Sequence, residues 1–222
     1  MKILNAFSGI GMNTKNWDRK EHSITHVEKN EEIADCLKDL QPKDQVVIAD
    51  AYKYIEKNHD RYDFIWASPP CTKFSVAAIG HHWNKQNSNY YPKKKECVES
   101  IRLVYHTLYL INNLNPEYWV MENPRAMLRK LVGMPEGTVT YCQYGDNRMK
   151  PTDLWGEFPE GFEFRSCSNG SSCHESAARG SKTGTQGMSN AKERARVPYG
   201  LSKSILKAIE KPKLKVKHGE NQ

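Results

Sequence analysis

Three short segments of the sequence carry residues whose types suit chemistry on a nucleotide. A glycine turn contains Gly9 and Gly11, Cys71 follows two prolines after an apolar run, and Glu122 precedes an asparagine and a proline. A cysteine displayed just past a strand, with a nucleotide-type loop before it and a carboxylate after it, has the layout needed for covalent attack on a pyrimidine ring.

Cys71 stands in a backbone that suits a fixed thiol. Pro69 and Pro70 stiffen the chain and lack amide donors, which is unfavourable inside a regular helix. A free thiol, with a pKa of about 8.5, is only slightly ionised at neutral pH, so a nucleophilic cysteine needs help from its neighbours. The alternative is a buried, inert cysteine, which is what we expect of Cys36 in the first predicted helix.

The first candidate ligand site is the glycine turn Phe7-Ser8-Gly9-Ile10-Gly11, which gives a ligand room to approach the backbone. Thr14 stands where a dinucleotide fingerprint has its third glycine, so the pyrophosphate of NAD is not indicated. Glu28, 19 positions after Gly9, suits the hydroxyls of a ribose, and Asp50 could accept a hydrogen bond from an adenine amino group. Alternatively, the glycines only turn the chain and both acids are solvated strand-end caps.

Strands and helices alternate along the chain. Apolar runs predict strands over residues 2–7, 24–27, 46–49, 64–67 and 118–121, with a sixth candidate over 138–143. Apolar residues at helical spacing predict helices over 33–40 and 98–111. This alternation predicts an α/β fold with a mostly parallel, doubly wound sheet, whose ligands sit at the carboxyl ends of the strands. Four candidate residues fall at such ends: Glu28, Asp50, Cys71 and Glu122.

Length and charge narrow the class of protein. The 222 residues fit a single domain over residues 1–222. Because there is no apolar run of about 18 residues and no apolar leader at Met1, we expect a cytoplasmic protein with no membrane partner. The net charge of +7 favours a polyanionic partner, although lysine runs such as Lys93-Lys94-Lys95 can equally be solvated faces.

Two segments, residues 72–96 and 165–190, lack periodicity. The first is expected to be a long active-site loop. The second is rich in Ser, Gly and Lys, and it is expected to be a small irregular insertion used for recognition.

The second segment also contains potential zinc ligands, Cys167, Cys173 and His174. A zinc site needs a fourth ligand, for which Cys142, His218 or another histidine are candidates. Reduced thiols without a metal on a loop are the alternative.

Four segments in this order resemble the motifs of the DNA cytosine-5 methyltransferase family, which uses S-adenosylmethionine. They are FSGIG, ASPPCTKFS, MENPRAML and, more loosely, QYGDNRMKPTDLWG, and together they cover roughly residues 1–160. The resemblance implies a class I S-adenosylmethionine-dependent methyltransferase fold: a Rossmann-like, mostly parallel seven-stranded sheet with helices on both faces.

The resemblance also implies two groups of site residues. One would bind the methyl donor, with Phe7 stacked on the adenine and Glu28 on the ribose. Its members are Phe7, Ser8, Gly9, Gly11, Glu28, Asp50, Ala51 and Pro69. The other would meet the target cytosine, with Asn123 ordering the site. Its members are Pro70, Cys71, Glu122, Asn123, Arg148 and Lys150.

The chemistry explains these residue types. Thiolate addition at C6 of cytosine, with protonation at N3, turns C4–C5 into an enamine that can attack a sulfonium methyl group. Cys71 would supply the thiolate and Glu122 the proton, and burial would favour the protonated carboxyl that this role requires. A target inside a duplex must first be flipped out, at a cost of a few kcal/mol.

The sequence departs from the family in its second half. After Tyr144-Gly145 the family has Gln and two Arg in alternation, and here Arg148 is the expected cation near the pyrimidine, with Lys150 beside it. The target-recognition domain is missing or reduced to residues 165–190, as in short phage-encoded relatives. The last family motif is echoed only by Arg196-Val197-Pro198 and a helix over 201–209.

Because the target-recognition domain is missing or reduced, the sequence is compatible with several substrates. DNA is expected, in the cytoplasm of a bacterial or phage-infected host cell, and a partner protein could supply sequence recognition. The same chemistry on RNA or on a free cytosine nucleotide is the alternative among enzymes. A catalytically weak nucleic-acid-binding module is the alternative among binding proteins, although such a module needs neither Cys71 nor Glu122.

Overall fold

The predicted alternation of strands and helices is present in the computed structural model, which describes residues 1–58, 60–175 and 195–211. The strands are β1 (Lys2–Ala6), β2 (Ser23–Glu28), β3 (Gln45–Ile48), β4 (Phe64–Ala67), β5 (Trp83–Gln86), β6 (Asn89–Pro92), β7 (Tyr118–Pro124), β8 (Gly137–Thr140) and β9 (Pro151–Glu157). The α-helices are α1 (Glu31–Leu40), α2 (Ala51–Lys57), α3 (Ile79–His82), α4 (Lys95–Leu114) and α5 (Tyr199–Glu210). Short 3-10 helices cover Val76–Ala78, Leu128–Lys130 and Tyr141–Tyr144.

The central sheet has seven strands in the order β3-β2-β1-β4-β7-β9-β8. The first five run parallel, and β9 is antiparallel to both of its neighbours. Ala6 pairs with Val27 on one side and Ala67 on the other, and Ala67 pairs with Met121. The carboxyl ends of the parallel strands therefore lie side by side along one edge of the sheet, as the sequence predicts.

Both faces of the sheet are covered, because successive side chains of a strand point to opposite faces. Phe64 and Trp66 pack into a core cluster with Leu201 and Ile205 of α5. Ile65 and Ala67 pack on the other face, in a cluster with residues of α2 and α4. The predicted class I α/β fold is thus confirmed, with helices on both faces of a mostly parallel sheet.

One expectation about the irregular segments is corrected, and one strand has no counterpart in the sequence prediction. Residues 72–96 are not a plain loop, since β5 and β6 form an antiparallel hairpin whose turn holds Asn87 at a φ of +54°. The hairpin is short and polar, so it lacks the apolar alternation by which strands are recognised. Strand β9 was not predicted either, because it begins with Pro151 and contains Gly156, residues that argue against a strand interior.

Smaller differences concern the ends of elements and one cysteine. The candidate strand over 138–143 ends at Thr140, and the chain turns into the 3-10 helix Tyr141–Tyr144. In α1 the buried positions are Ala34 and Leu37, while Cys36 is exposed, so its expected burial is wrong. Cys36 lies beside, not on, the apolar stripe of that helix.

The predicted insertion is only partly described. Residues 165–175 run without a regular helix or strand, apart from a bridge between Arg148 and Glu175, while residues 176–190 lie outside the described ranges. Within those ranges, none of the helices is both long and apolar enough to span a bilayer.

Candidate active site

The glycine turn after β1 has a backbone that few residue types adopt. Phe7, Gly9 and Gly11 all have positive φ angles, of +56°, +54° and +65°. A positive φ in a phenylalanine costs on the order of 1 kcal/mol or more, and such outliers cluster at ligand sites. The Phe7 backbone is therefore a structural sign of function at this turn.

Glycine is required at Gly11 by close approach as well as by conformation. A Cβ atom at this position would lie 2.3 Å from Nε2 of Gln41 and 2.6 Å from Cδ1 of Leu37. The same Gln41 nitrogen donates a hydrogen bond of 2.9 Å to the Gly11 carbonyl. The end of α1 thus holds the glycine turn in place.

The Glu28 carboxylate ends β2 and faces the glycine turn. Its Oε2 accepts a hydrogen bond from the Gly9 amide at 2.9 Å, and its Oε1 accepts one from the Asn30 amide at 2.9 Å. Two backbone donors therefore fix the carboxylate, while each oxygen keeps a second lone pair for the hydroxyls of a ribose.

Asp50 lies at the end of the next strand, where it is the N-cap residue of α2. Its side chain makes no capping hydrogen bond, and Oδ1 lies 3.4 Å from Nζ of Lys29. The buried Ala51 is the first residue of α2. Because the carboxylate is not used as a cap, it can accept a hydrogen bond from a ligand at the strand ends.

The loop that carries Cys71 is fixed at both ends. Asn123 Nδ2 donates a hydrogen bond of 2.9 Å to the Pro69 carbonyl, and the Cys71 carbonyl accepts from the Phe74 amide at 2.9 Å. Cys71 itself is half-buried and Pro70 is exposed. The two prolines lack amide donors, and the loop is held through its carbonyls instead. Two hydrogen bonds thus hold the loop around Cys71, and its role as a nucleophile stays a prediction.

Glu122 and Asn123 lie near the end of β7, directly beside that loop. Both are buried, with exposures of 6% and 1%. Asn123 Oδ1 is buried and has no hydrogen-bond partner. An unpartnered buried amide oxygen is costly unless a bound molecule donates to it, so its position beside Cys71 indicates a ligand site.

The partner of Glu122 is Tyr141, which is not among the predicted site residues. The Tyr141 hydroxyl donates to Oε1 of Glu122 at 3.0 Å, and both side chains are buried. Burial and the nearby Glu122 carboxylate hold the pKa of Tyr141 well above its usual value, so the phenol remains a hydrogen-bond donor. The sequence signal that could have located it is its place just before the QYGDNR segment.

Two cations approach Tyr141 from the connection between β8 and β9. Lys150 Nζ lies 3.5 Å from the Tyr141 hydroxyl oxygen and 4.6 Å from the ring centroid. The guanidinium carbon of Arg148 lies 5.6 Å from the same centroid. Arg148 and Lys150 therefore lie around the residue that contacts Glu122, and direct contact of either cation with a pyrimidine remains a prediction.

Arg148 is a buried cation with a dedicated counter-ion. Its Nε donates to Oδ1 of Asp146 at 2.7 Å, and Nη2 donates to the Arg196 carbonyl at 3.2 Å. Burial alone would raise the pKa of Asp146, but hydrogen bonds and charge from Arg148 outweigh it and lower that pKa. The pair is therefore ionised, and it fixes the guanidinium in one orientation.

The geometry divides the predicted residues into two neighbouring groups. Phe7, Gly9, Glu28 and Asp50 lie at the ends of β1 to β3, whereas Cys71, Glu122 and Asn123 lie around the ends of β4 and β7. Since β1 and β4 are adjacent, the two groups meet where the strand order changes direction. Ligands of doubly wound sheets bind at this position.

A sequence model of the family "C-5 cytosine-specific DNA methylase" matches residues 1–134, more than half of the chain. The chain belongs to this family. The match contains the glycine turn, the Cys71 loop and Glu122-Asn123. Residues after 134, including Tyr141 and Arg148, lie beyond it.

Sequence comparison also finds a viral relative of this chain. A frog virus 3 (isolate Goorha) protein named probable DNA (cytosine-5)-methyltransferase is 28% identical over 178 residues, which is 78% of each chain.

Among solved structures, Spodoptera frugiperda DNMT2 is 20% identical with a TM-score of 0.48, over 76% of this chain and 55% of that one. A prophage-encoded E. coli protein described as a DNA modification methyltransferase is 17% identical with a TM-score of 0.47, over 70% of this chain and 46% of that one. The chain thus spans about half the length of these solved chains. Their likeness is too distant to add to the fold assignment, which rests on the sheet itself.

The methyl donor of this family is S-adenosylmethionine, and the residues present fit it. The Ser8 hydroxyl in the glycine turn is buried without a hydrogen-bond partner, as a group awaiting a ligand would be. The fixed Glu28 carboxylate and the free lone pairs of Asp50 supply acceptors for ribose and adenine.

Proposed function

We propose that this protein transfers a methyl group to C5 of cytosine in DNA through a covalent adduct between Cys71 and C6 of the base. The observation that carries the proposal is the buried Glu122 carboxyl, with its Tyr141 donor, beside a Cys71 loop that Asn123 holds at 2.9 Å. A buried acid and a fixed thiol on adjacent strand ends are the two groups that this chemistry requires.

In the proposed reaction, Cys71 forms the covalent bond to the base and Glu122 transfers the proton. The Cys71 thiolate forms a bond from Sγ to C6, and the Glu122 carboxyl gives its proton to N3 of the base. S-adenosylmethionine, when bound, supplies the methyl group that C5 receives. A base then removes the proton from C5, the Sγ–C6 bond breaks, and N3 returns its proton to Glu122. Cys71 and Glu122 end in the states in which they began.

The supporting residues have separate roles in the proposal. Asn123, through its unpartnered Oδ1, accepts from the base or its neighbours, and Pro70 contacts the flipped nucleotide. Arg148 and Lys150 supply positive charge near Tyr141. The donor is held by Phe7, Ser8, Gly9, Gly11, Glu28, Asp50, Ala51 and Pro69.

The wider proposal concerns organisation and setting. We infer one methyltransferase domain over residues 1–222, with a small insertion over 165–190 in place of a recognition domain. With so short an insertion, a partner protein would supply any strict sequence recognition. We propose the cytoplasm of a bacterial or phage-infected cell as the setting, and the viral origin of the frog virus relative supports a viral context.

The test of function uses DNA that contains 5-fluorocytosine, because fluorine at C5 blocks the final elimination. The wild type should be trapped as a covalent protein–DNA adduct that survives denaturing electrophoresis, and Cys71→Ala should form none. Cys36→Ala, which changes an exposed cysteine on α1, is the matched control and should be trapped like the wild type. Trapping by Cys71→Ala, or methyl transfer at the wild-type rate, would overturn the mechanism.

The substrate class is tested by supplying labelled methyl donor with DNA, RNA or dCMP separately. DNA should accept label fastest. Faster labelling of RNA or of the free nucleotide would preserve the Cys71 chemistry and replace the substrate. Donor binding without transfer to any of the three would indicate a binding module.

A further inference from the structure

Four potential metal ligands converge beside the 3-10 helix that follows β8. Cys142 comes from the 3-10 helix after β8, and Cys167, Cys173 and His174 come from the irregular segment after β9. Their ligand atoms all lie within 4.8 Å of one another. The sequence left the fourth ligand open between Cys142 and histidines such as His218. The structure brings Cys142 to the group, while His218 lies outside the described residues.

Three distances between these atoms are close to those expected in a tetrahedron around one ion. With Zn–S bonds of about 2.3 Å and Zn–N bonds of about 2.0–2.1 Å, two sulfur ligands lie about 3.8 Å apart and a sulfur and a nitrogen about 3.6 Å apart. Cys142 Sγ lies 3.7 Å from Cys173 Sγ, and His174 Nδ1 lies 3.7 Å from Cys167 Sγ and 3.6 Å from Cys173 Sγ. The distance from Cys142 Sγ to Cys167 Sγ is shorter, at 3.2 Å.

We propose that Cys142, Cys167, Cys173 and His174 bind one structural zinc ion. Three thiolates and an imidazole favour zinc over the oxygen-seeking cations Mg²⁺ and Ca²⁺. Four protein ligands fill a tetrahedral ion and leave no position for a substrate or an activated water, which characterises structural rather than catalytic sites. Gln143 Nε2 also lies 3.2 Å from Cys173 Sγ, where an amide donor would stabilise a metal-bound thiolate.

The position of the site gives the ion a structural role. Cys142 directly follows Tyr141, whose hydroxyl contacts Glu122. On the other side, the Glu175 amide donates to the Asn147 carbonyl at 2.9 Å, next to Arg148. The ion would therefore join the irregular segment to the turn that carries Tyr141. Its ligands position these residues and take no part in methyl transfer.

The proposal is tested by the metal content of the full chain, a readout that does not depend on methyl transfer. Protein produced in zinc-supplemented medium should contain about one zinc ion per chain after gel filtration. Cobalt substitution should give the intense visible absorption of a tetrahedral ion together with thiolate-to-cobalt charge-transfer bands. This measurement on the wild type requires no variant to fold.

Substitutions identify the residues that bind the ion. Cys167→Ser and Cys173→Ser should each lose most of the bound zinc. His174→Cys replaces the imidazole with a fourth thiolate and should retain the zinc. Cys36→Ser is the matched control and should bind zinc like the wild type. Binding of S-adenosylmethionine, whose proposed site lies at the ends of β1 to β3, shows that each variant is folded.

Several results would overturn the proposal. Substoichiometric zinc in the wild type, with all cysteines reacting as free thiols, would show unliganded cysteines. A mass two units lower per pair, restored by reductant, would show a disulfide such as Cys142–Cys167. Equal zinc content in the wild type and in the Cys167 and Cys173 variants would show that the metal binds elsewhere.

Discussion

The hydroxyl of Tyr141 donates a hydrogen bond of 3.0 Å to Oε1 of Glu122, and the two buried side chains lie on different elements of the fold. A buried carboxyl group has few orientations once one oxygen is fixed in this way. The other oxygen of Glu122 is then the one that can meet the base. Tyr141 therefore acts as a positioning residue for the proposed general acid.

Tyr141→Phe should lower turnover by about tenfold or more, since it removes a donor to a buried acid at a cost of about 1–3 kcal/mol. Affinity for S-adenosylmethionine should not change, because most of the residues assigned to the methyl donor lie at the ends of β1 to β3. Single-turnover rates at saturating S-adenosylmethionine provide the measurement, and an unchanged rate would contradict the positioning role of Tyr141.

Tyr144→Phe is the matched control for this prediction. Tyr144 lies in the same 3-10 helix and is buried, but its hydroxyl donates to the Glu163 carbonyl at 2.8 Å. Its removal should lower thermal stability and leave the turnover of folded protein unchanged. Equal losses of turnover in the two variants would show that the turn as a whole, and not the contact with Glu122, matters.

Substitutions of Glu122 and Glu28 should have different effects. Glu122 is expected to act on the cytosine, and Glu28 is expected to bind the methyl donor. Glu122→Gln should lower turnover by about two orders of magnitude or more, the scale of a lost general acid, with little change in donor affinity. Glu28→Ala should weaken donor binding by about tenfold or more, because the Gly9 and Asn30 amides lose a charged acceptor. Calorimetry with S-adenosylmethionine and turnover at saturating donor measure the two effects, and the reverse pattern would refute both assignments.

The sequence predicts the positions of Cys71 and Glu28 because the motifs that contain them are local. A fully buried apolar run predicts β4, and the motif that follows it contains Cys71. Glu28 lies at a fixed distance after the glycine turn. The contact of Tyr141 with Glu122 is different, since it depends on β9 entering the sheet between β7 and β8. Pro151 and Gly156 are atypical of a strand, so the sequence does not predict β9. Without β9, the contact between Tyr141 and Glu122 could not be predicted.

The ligand group shows the same limit. Cys167, Cys173 and His174 lie within eight positions of one another and are visible as a group in the sequence. The fourth residue, Cys142, is 25 positions away from Cys167, and only the return of the chain along β9 brings the two together. Local spacing predicts three ligands, and tertiary structure is needed to choose the fourth.

A pH-dependent stability is expected from Asp44, whose carboxylate is buried between Arg19 and His26. Oδ1 accepts from Nε of Arg19 at 2.7 Å, and Oδ2 lies 3.0 Å from Nε2 of His26. Burial alone would raise the pKa of Asp44, but the hydrogen bonds and charges of these neighbours outweigh it and lower the pKa below its ordinary value of 3.8. The carboxylate therefore stabilises the fold above its unfolded pKa, and this contribution is lost as pH falls through the folded pKa.

Asp44→Asn should lower the free energy of unfolding by about 3 kcal/mol at pH 7, because it leaves the Arg19 cation buried without its partner. The difference from the wild type should shrink as the pH falls below about 4. Asp60→Asn is the control, since its ion pair with Lys2 at 2.8 Å is exposed and should contribute less than about 1 kcal/mol. Urea unfolding at several pH values provides the measurement, and a difference independent of pH would contradict the prediction.

Target choice should be relaxed, because few residues are available to recognise a site. A segment as short as residues 165–190 can supply few contacts in the major groove, each worth about 1–3 kcal/mol for a well-recognised base. Affinity should then come from phosphate contacts by basic residues. Lys93 to Lys95 and Arg196 lie in the described part of the chain, and Lys182, Lys192 and Arg194 lie outside it.

Two measurements test this prediction. The logarithm of the association constant for DNA should fall steeply with the logarithm of salt concentration, and Lys94→Ala with Lys95→Ala should reduce the slope by about two. Lys38→Ala, at the far end of α1 and paired with Asp35, should leave the slope unchanged. Sequencing of methylated cytosines in random DNA should find at most a dinucleotide or trinucleotide context. A strict site of four or more bases would show that the insertion, or a dimer of the protein, recognises DNA far better than its length implies.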